Sequence, residues 1–242
     1  MGPSKRVSLA AMLIVTAAAS VLLAADKGKQ LYDLRYADQR KKVDGTAGKA
    51  DDVALAGEHL KDVEKYAGTP ELVKVLLEQA YELGMRDATG YVTAAAAVEL
   101  LIAKYPDEKA GYMDQAVRVY ELQVRGHQKK EAAGEKLIAI LLEQAAAQAG
   151  KDEFRKSVDL ASKAFNIASK IKSPRKVEVG AIRNYYKARR DLKIKPSNNA
   201  LRMAVIRMCV AEMDYPAEAA RLLTGDMPEE YQTYLPLAAS AG

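Results

Sequence analysis

Tryptophan is absent from this chain of 242 residues, phenylalanine occurs twice, and glycine and proline occupy only 15 and 8 positions. Few β-branched or aromatic runs exclude an all-β sandwich or a doubly wound sheet, whose strands are built from such runs. The low glycine and proline content and the 49% of apolar residues exclude collagenous and disordered chains. Alanine, the strongest helix former, is abundant at 43 positions. The composition therefore predicts an all-α protein.

The chain also lacks the sequence signatures of common catalytic sites. It contains no HExxH zinc motif, no GxSxG nucleophile motif and no glycine-rich phosphate loop. The single cysteine, Cys209, lies in an apolar helical stretch, which predicts a small buried side chain. His59 and His127 are predicted to be ordinary surface or capping histidines. The residues thus predict a protein that is not an enzyme and that has no cofactor and no metal site.

Residues 1–25 have the order of a secretion signal. Lys5 and Arg6 precede an uncharged stretch over residues 7–25, and no acidic residue occurs before Asp26. A basic start followed by apolar and then small residues is typical of a signal peptide. The uncharged stretch also has the length of a membrane-spanning helix. We therefore expect a periplasmic or secreted protein, with a membrane anchor formed by the uncleaved stretch as the alternative.

Apolar side chains recur at three- and four-residue steps between the glycine and proline positions from Asp26 onward. This spacing is typical of amphipathic helices, and it predicts about ten of them with short connections. Short connections place successive helices antiparallel. We expect a helical repeat domain over residues 26–224, followed by a C-terminal helix or tail over residues 225–242.

Two short matches recur at one offset along the sequence. LVKVLLEQA at residues 72–80 and LIAILLEQA at residues 137–145 are identical at six of nine positions. At the same offset of 65 residues, AVRVY at residues 116–120 matches AIRNY at residues 181–185. Two matches at one offset predict an internal duplication, with about three long helices in each copy.

Longer segments resemble a known repeat. The segment LLEQAAAQAGKDEFRKSVDLASKAFNIASKI at residues 141–171 resembles a tetratricopeptide helix pair, and AVELLIAKYPDEK at residues 97–109 resembles the end of another such unit. Over residues 50–195 the chain is similar to helical modules in exported proteins of planctomycete bacteria. The resemblance implies an antiparallel, tetratricopeptide-like αα solenoid after the N-terminal signal segment. It implies no particular biochemical activity.

Basic residues are concentrated in one part of the chain. Residues 151–207 have a net charge of +11, whereas residues 26–150 and 208–242 have net charges of −3 and −5. On the helix predicted after Pro174, several basic residues follow at three- and four-residue steps, which predicts a cationic face. The candidate anion-binding residues are Lys176, Arg183, Lys187, Arg189 and Arg190.

Two interpretations of this basic segment stay open. Either it binds an anionic component of the cell envelope, or it is a solvated face that contacts the acidic segment over residues 208–242. Nucleic acid is not expected as a partner, because an exported protein rarely meets it. Tyr185 and Tyr186, which lie within the basic segment, are predicted to be core residues.

The sequence therefore supports two hypotheses about function. The first is an exported, non-enzymatic scaffold that binds an unknown protein or peptide in a groove between helices, as stacked helical repeats do. The alternative is a cell-envelope or anionic-surface binding protein that uses the basic helical face. Salt separates the two, because screening weakens binding to an anionic surface more than binding of an apolar peptide.

Overall fold

The described part of the protein is helical throughout. A computed structural model describes residues 26–126, 130–225 and 227–240, so the predicted signal segment 1–25 and His127 lie outside the described residues. Within those ranges the backbone forms α-helices, two short 3-10 helices and no strand, which confirms the all-α prediction. None of these helices combines the length and the apolar character needed to cross a bilayer.

Connections of a few residues join the helices, as the sequence pattern predicts. The two 3-10 helices cover Ala88–Gly90 and Pro106–Glu108. The α-helices in the described ranges are α1 at residues 26–44, α2 at Ala50–Lys65, α3 at Pro70–Gly84, α4 at Tyr91–Lys104, α5 at Lys109–Arg125, α6 at Lys130–Gly150, α7 at Phe154–Ile171, α8 at Lys176–Ile194, α9 at Asn199–Ala211, α10 at Pro216–Arg221 and α11 at Glu229–Ser240.

The chain divides into two compact units. Unit 1 ends at Gly126 and unit 2 begins at His127. In the described ranges, unit 1 contains α1 to α5 and unit 2 contains α6 to α11. Within each unit, from α2 onward, helices that follow one another in sequence pack together. This is the antiparallel arrangement that short connections favour.

The order of helices repeats at the offset found in the sequence. When 65 is added to residue numbers, α3, α4 and α5 fall largely on α6, α7 and α8, so each copy holds three helices as predicted. Two of three matched pairs are buried in both copies, whereas the alanine pair differs because the second alanine is partly exposed. The buried pairs are Leu76 with Leu141 and Tyr120 with Tyr185, and the alanine pair is Ala116 with Ala181.

Helix α3 forms the centre of the core of unit 1. Its side chains Leu72, Leu76, Leu77 and Leu83 are almost completely buried. Removing a leucine side chain from water stabilises the folded state by about 1.5–3 kcal/mol. The neighbouring α4 buries mainly small residues, since four of its first seven positions are alanine, and small side chains let two helices approach closely.

The helices also approach closely where α3 ends and α4 is about to begin. A Cβ atom on Gly90 would lie 2.4 Å from the carbonyl oxygen of Gly84 and 2.9 Å from Cγ2 of Val53. Gly90 has a φ of −87°, which any residue adopts. Space, and not backbone conformation, therefore requires glycine at this position.

We expect Gly90→Ala to destabilise the protein by about 1–3 kcal/mol, because the methyl group overlaps a backbone oxygen that cannot move aside. Gly57→Ala is the matched control, since Gly57 lies inside α2 and a Cβ there meets no atom within 4 Å. This control should raise the free energy of unfolding by up to about 1 kcal/mol. Urea unfolding of both variants measures the difference, and equal effects would contradict the close approach.

A buried ion pair connects α2 with the segment that follows α3. The carboxylate of Asp52 is fully buried, and Nη1 of Arg86 lies 2.6 Å from its Oδ1. The same Arg86 nitrogen lies 2.8 Å from Oδ1 of Asp44 at the end of α1. Lys49 approaches the other oxygen of Asp52 at 3.6 Å. A buried carboxylate requires such partners, because an unpaired charge inside a protein is strongly destabilising.

The core of unit 2 confirms two predictions from the sequence. Cys209 is fully buried, and Tyr185 and Tyr186 are buried in the same hydrophobic cluster. Burial raises the pKa of the Cys209 thiol, so the neutral form is favoured. Leu235 of α11 belongs to this cluster, so the C-terminal helix contributes to the core of unit 2.

Candidate binding groove

A surface groove of about 630 Å³ lies in unit 1 beside the polar side of α3. Residues of α1, of α3 and of the turn between α4 and α5 line it. The lining combines charged side chains of both signs with apolar and aromatic surface. The lining residues are Lys29, Tyr32, Asp33, Arg40, Pro70, Glu71, Lys74, Val75, Glu78, Gln79, Tyr105 and Glu108.

Polar bonds fix both sides of the groove to α3. On the side of α1, Nζ of Lys27 lies 3.3 Å from Oε1 of Glu71. On the side of α5, Nζ of Lys74 donates to both carboxylate oxygens of Glu108, at 2.6 and 2.7 Å. The hydroxyl of Tyr105 donates to the carbonyl oxygen of Pro70 at 2.8 Å. The groove is therefore held open by a bonded framework.

Glu78 is a partly buried carboxylate of the groove that is available to a ligand. It accepts a hydrogen bond from the hydroxyl of Tyr112 at 3.2 Å, and it forms no ion pair within the described residues. Burial raises the pKa of Glu78 above its usual value, although the nearby Lys74 opposes this shift. A cationic group placed in the groove would restore the charge compensation that Glu78 lacks.

Sequence reasoning missed this groove, although the signal was present in ELVKVLLEQA at residues 71–80. Glu71, Lys74 and Glu78 follow at three- and four-residue steps, so they share one face of α3. The leucines of the same segment occupy the opposite, buried face. Which other elements border its polar face depends on contacts between distant residues.

A buried polar cluster lies directly behind the groove. The ring of His59 is fully buried, and its Nε2 lies 3.0 Å from the hydroxyl of Tyr32, which also lines the groove. The Tyr36 ring packs against His59 with ring centroids 4.8 Å apart, and its hydroxyl donates to Oδ2 of Asp62 at 2.5 Å. The prediction of a surface or capping role for His59 is therefore wrong. On α2, His59 faces α1 and contacts Tyr32. The sequence pattern of α2 alone does not indicate that α1 covers this position.

The environment of His59 favours its neutral form. Burial lowers the pKa of His59 from 6.5 to about 4, and the positive charge of Arg40 adds to this effect. The negative charge of Asp62 opposes it. The second ring nitrogen, Nδ1, has no hydrogen-bond partner. Protonation would thus place a charge among Tyr32 and Tyr36 without enough compensation.

We expect the free energy of unfolding to fall as the pH falls from 6.5 to about 4, because the unfolded chain takes up a proton at His59 in this range and the folded protein does not. The full contribution of neutral His59 is present above pH 6.5. Since one pKa unit corresponds to about 1.4 kcal/mol, the loss should be about 3 kcal/mol. Urea unfolding of wild type and His59→Gln over this pH range measures it.

The matched control is His127→Gln, which removes the other histidine of the chain. This control should retain the pH dependence of the wild type. Carboxylates that titrate in the same range contribute equally to the pH dependence of unfolding in all three proteins. The difference between the wild-type and His59→Gln curves therefore reports the contribution of His59. Parallel curves for wild type and His59→Gln would contradict the assignment.

The structure distributes the candidate anion-binding residues over different partners. Arg183 and Lys176 lie over the ring of Phe165, with the charged groups 4.0 and 5.9 Å from its centroid. Arg190 pairs with Asp191 at 2.8 Å, and Lys187 is exposed. Only part of the predicted face is therefore free of intramolecular contacts.

Arg189 lies apart from this face. Its guanidinium stacks over Phe154 at 4.7 Å and forms an ion pair with Glu218 of α10. Glu218 belongs to the acidic segment over residues 208–242. Arg189 therefore makes the contact with this segment that one of the two interpretations expects. Binding of an anionic surface by the remaining basic residues stays a prediction.

We expect Arg183→Ala to destabilise the protein by about 1 kcal/mol, because it removes a cation–π contact that is partly shielded from water. Lys187→Ala, on the same helix, is the matched control and should change the free energy of unfolding by no more than about 0.5 kcal/mol. Thermal melts of both variants test this contrast. Equal melting temperatures would show that the stacking contributes nothing.

The described residues contain no group of three or more histidine, cysteine, aspartate or glutamate side chains that could hold a metal ion. The groove and the basic residues are thus the features that point to binding. No family model, curated protein or solved structure matches the chain.

Proposed function

We propose that this protein is an exported, tetratricopeptide-like helical scaffold without enzymatic activity, and that the groove beside α3 binds an extended peptide segment of a partner protein. The groove is the observation that carries the proposal. Export is proposed from the signal-like residues 1–25. Peptide binding is proposed from the shape and the lining of the groove.

The pattern of contacts in unit 1 supports a tetratricopeptide-like stacking. Tetratricopeptide units have a period of 34 residues, so equivalent helices of successive units meet through residues about 34 apart. Among the described residues of unit 1, four contacts have this separation. They are Arg86 with Asp52, Lys74 with Glu108, Tyr112 with Glu78, and Tyr81 with the carbonyl of Gln115.

The lining of the groove suits a peptide. Pro70 and Val75 offer apolar surface, and Tyr105 offers an aromatic ring beside them. Charged side chains of both signs surround this surface, which allows a peptide to be oriented by its own charges. Glu78 favours a lysine or arginine side chain in the bound segment. An apolar and aromatic surface bordered by charged side chains is a surface on which peptides are recognised.

Selection of peptides from a displayed library on the full chain tests the proposal. We expect the selected peptides to contain a basic residue and to lose at least about tenfold in affinity for Gln79→Trp, because the indole fills the groove. Gln39→Trp is the matched control, since Gln39 is exposed on α1 and does not line the groove. Fluorescence anisotropy with the labelled peptides measures both affinities.

Glu78→Gln separates the charge contribution from the shape of the groove. This variant retains the size of the side chain but removes its charge. It should lower the affinity for the basic peptides more than the affinity for the same peptides with glutamine in place of the basic residue. Equal binding of the peptides to wild type, Gln79→Trp and Gln39→Trp would refute the groove as the binding site. Binding that disappears at moderate salt in all variants would favour the basic residues of α8 instead.

A further inference from the structure

Unit 2 contains a second cavity, which differs in chemistry from the groove of unit 1. It measures about 310 Å³ and lies among α8, the beginning of α9 and the segment after α10. Its lining consists of basic and apolar side chains and one carboxylate. The lining residues are Asp152, Phe154, Arg189, Leu192, Lys193, Pro196, Arg202, Arg221, Leu222, Leu223 and Thr224.

Positive charge dominates the lining. Four basic side chains from three helices face one carboxylate, that of Asp152, which pairs with Lys193 at 2.5 Å. Just outside the lining, Glu218 pairs with Arg189 and lies 3.5 Å from Arg221. Within the described residues, two acidic groups thus compensate four basic ones. A ligand with two negative charges would balance the remainder.

Arg202 supplies the polar anchor of this cavity. Its guanidinium donates to Oγ1 of Thr224 at 3.3 Å, to Oδ1 of Asn199 at 3.1 Å and to the carbonyl of Pro196. It forms no ion pair with a described carboxylate. These neutral acceptors fix the orientation of the guanidinium and leave its charge uncompensated, and an oriented guanidinium is well suited to bind two oxygens of an oxyanion.

The apolar part of the lining favours an organic group over an inorganic ion. Phe154, Leu192, Leu222 and Leu223 border the same space as the basic side chains. Arg189 stacks on Phe154, so the charged and apolar parts adjoin. A cavity of this kind accommodates an organic group attached to an oxyanion.

We infer that this cavity binds an organic phosphate monoester. A phosphate monoester carries close to two negative charges at neutral pH, which matches the charge of the lining, whereas a carboxylate carries one. The arginines and the hydroxyl of Thr224 donate to its oxygens, and the apolar side chains contact the organic part. The site is independent of the peptide groove, since all its residues belong to unit 2.

Isothermal titration calorimetry of the full chain with phenyl phosphate, inorganic phosphate and benzoate tests the inference. Phenyl phosphate should bind most tightly, because it alone offers both the dianion and the apolar ring. Arg202→Lys keeps the charge but loses the planar arrangement of N–H donors, and it should lower the affinity for phenyl phosphate at least about tenfold. Arg221→Gln should lower this affinity about fivefold.

The control is the double variant Lys170→Gln and Lys187→Gln, which removes two exposed charges of unit 2 that do not line the cavity. It should bind phenyl phosphate within about twofold of the wild type, because the two lysines do not line the cavity and salt screens exposed charges. The Arg221 side chain is 79% exposed, so its replacement keeps the fold even if Arg202→Lys does not. Circular dichroism melts check each variant.

Co-sedimentation with vesicles distinguishes a soluble ligand from a lipid headgroup. Vesicles that contain phosphatidic acid present a phosphate monoester, whereas phosphatidylglycerol presents a diester. Retention on phosphatidic acid that requires Arg221 and is displaced by phenyl phosphate supports a lipid as the source. Binding of phenyl phosphate without such retention supports a soluble ligand.

Two calorimetric results would overturn the inference. One is no detectable heat of binding with phenyl phosphate at millimolar concentration, and the other is equal affinity of wild type, Arg202→Lys and Arg221→Gln for it.

Discussion

Close packing of α3 is the constraint on which unit 1 depends. Its leucines form the centre of the core, and its last residue, Gly84, touches the backbone of Gly90 at the start of α4. Its polar face meets α1 on one side and α5 on the other, through the Lys27–Glu71 ion pair and the hydrogen bond from Tyr112 to Glu78. The groove lies along this polar face, between these neighbours.

The polar interior of unit 1 shows how such a small helical unit limits alternative packings. Asp52 and His59 are fully buried on α2, and each meets a specific partner, Arg86 or Tyr32. Burying these groups without partners costs more free energy than the contacts return, so arrangements that separate the pairs are unfavourable. Tyr32 also lines the groove, so this one side chain joins the buried cluster to the groove surface.

In unit 2 the excess of basic residues is organised in three ways. Some guanidinium groups stack on aromatic rings, as Arg183 does on Phe165. Others pair with acidic groups, as Arg189 does with Glu218. A third group converges on a cavity, with Arg202 as its anchor. A net charge calculated from the sequence cannot distinguish these arrangements, which differ in what each side chain offers to a ligand.

The sequence by itself determined the helical class, the number of helices in each 65-residue copy and the burial of Cys209, Tyr185 and Tyr186, because these depend on local propensity and on the spacing of apolar residues. Only the tertiary structure decided that His59 is buried, that Glu78 lines a groove and that Arg202 and Arg221 share a cavity. The physical reason is that burial of a polar side chain depends on partners 20 or more residues away. A helical pattern specifies which face a residue occupies, but not which other helix covers that face.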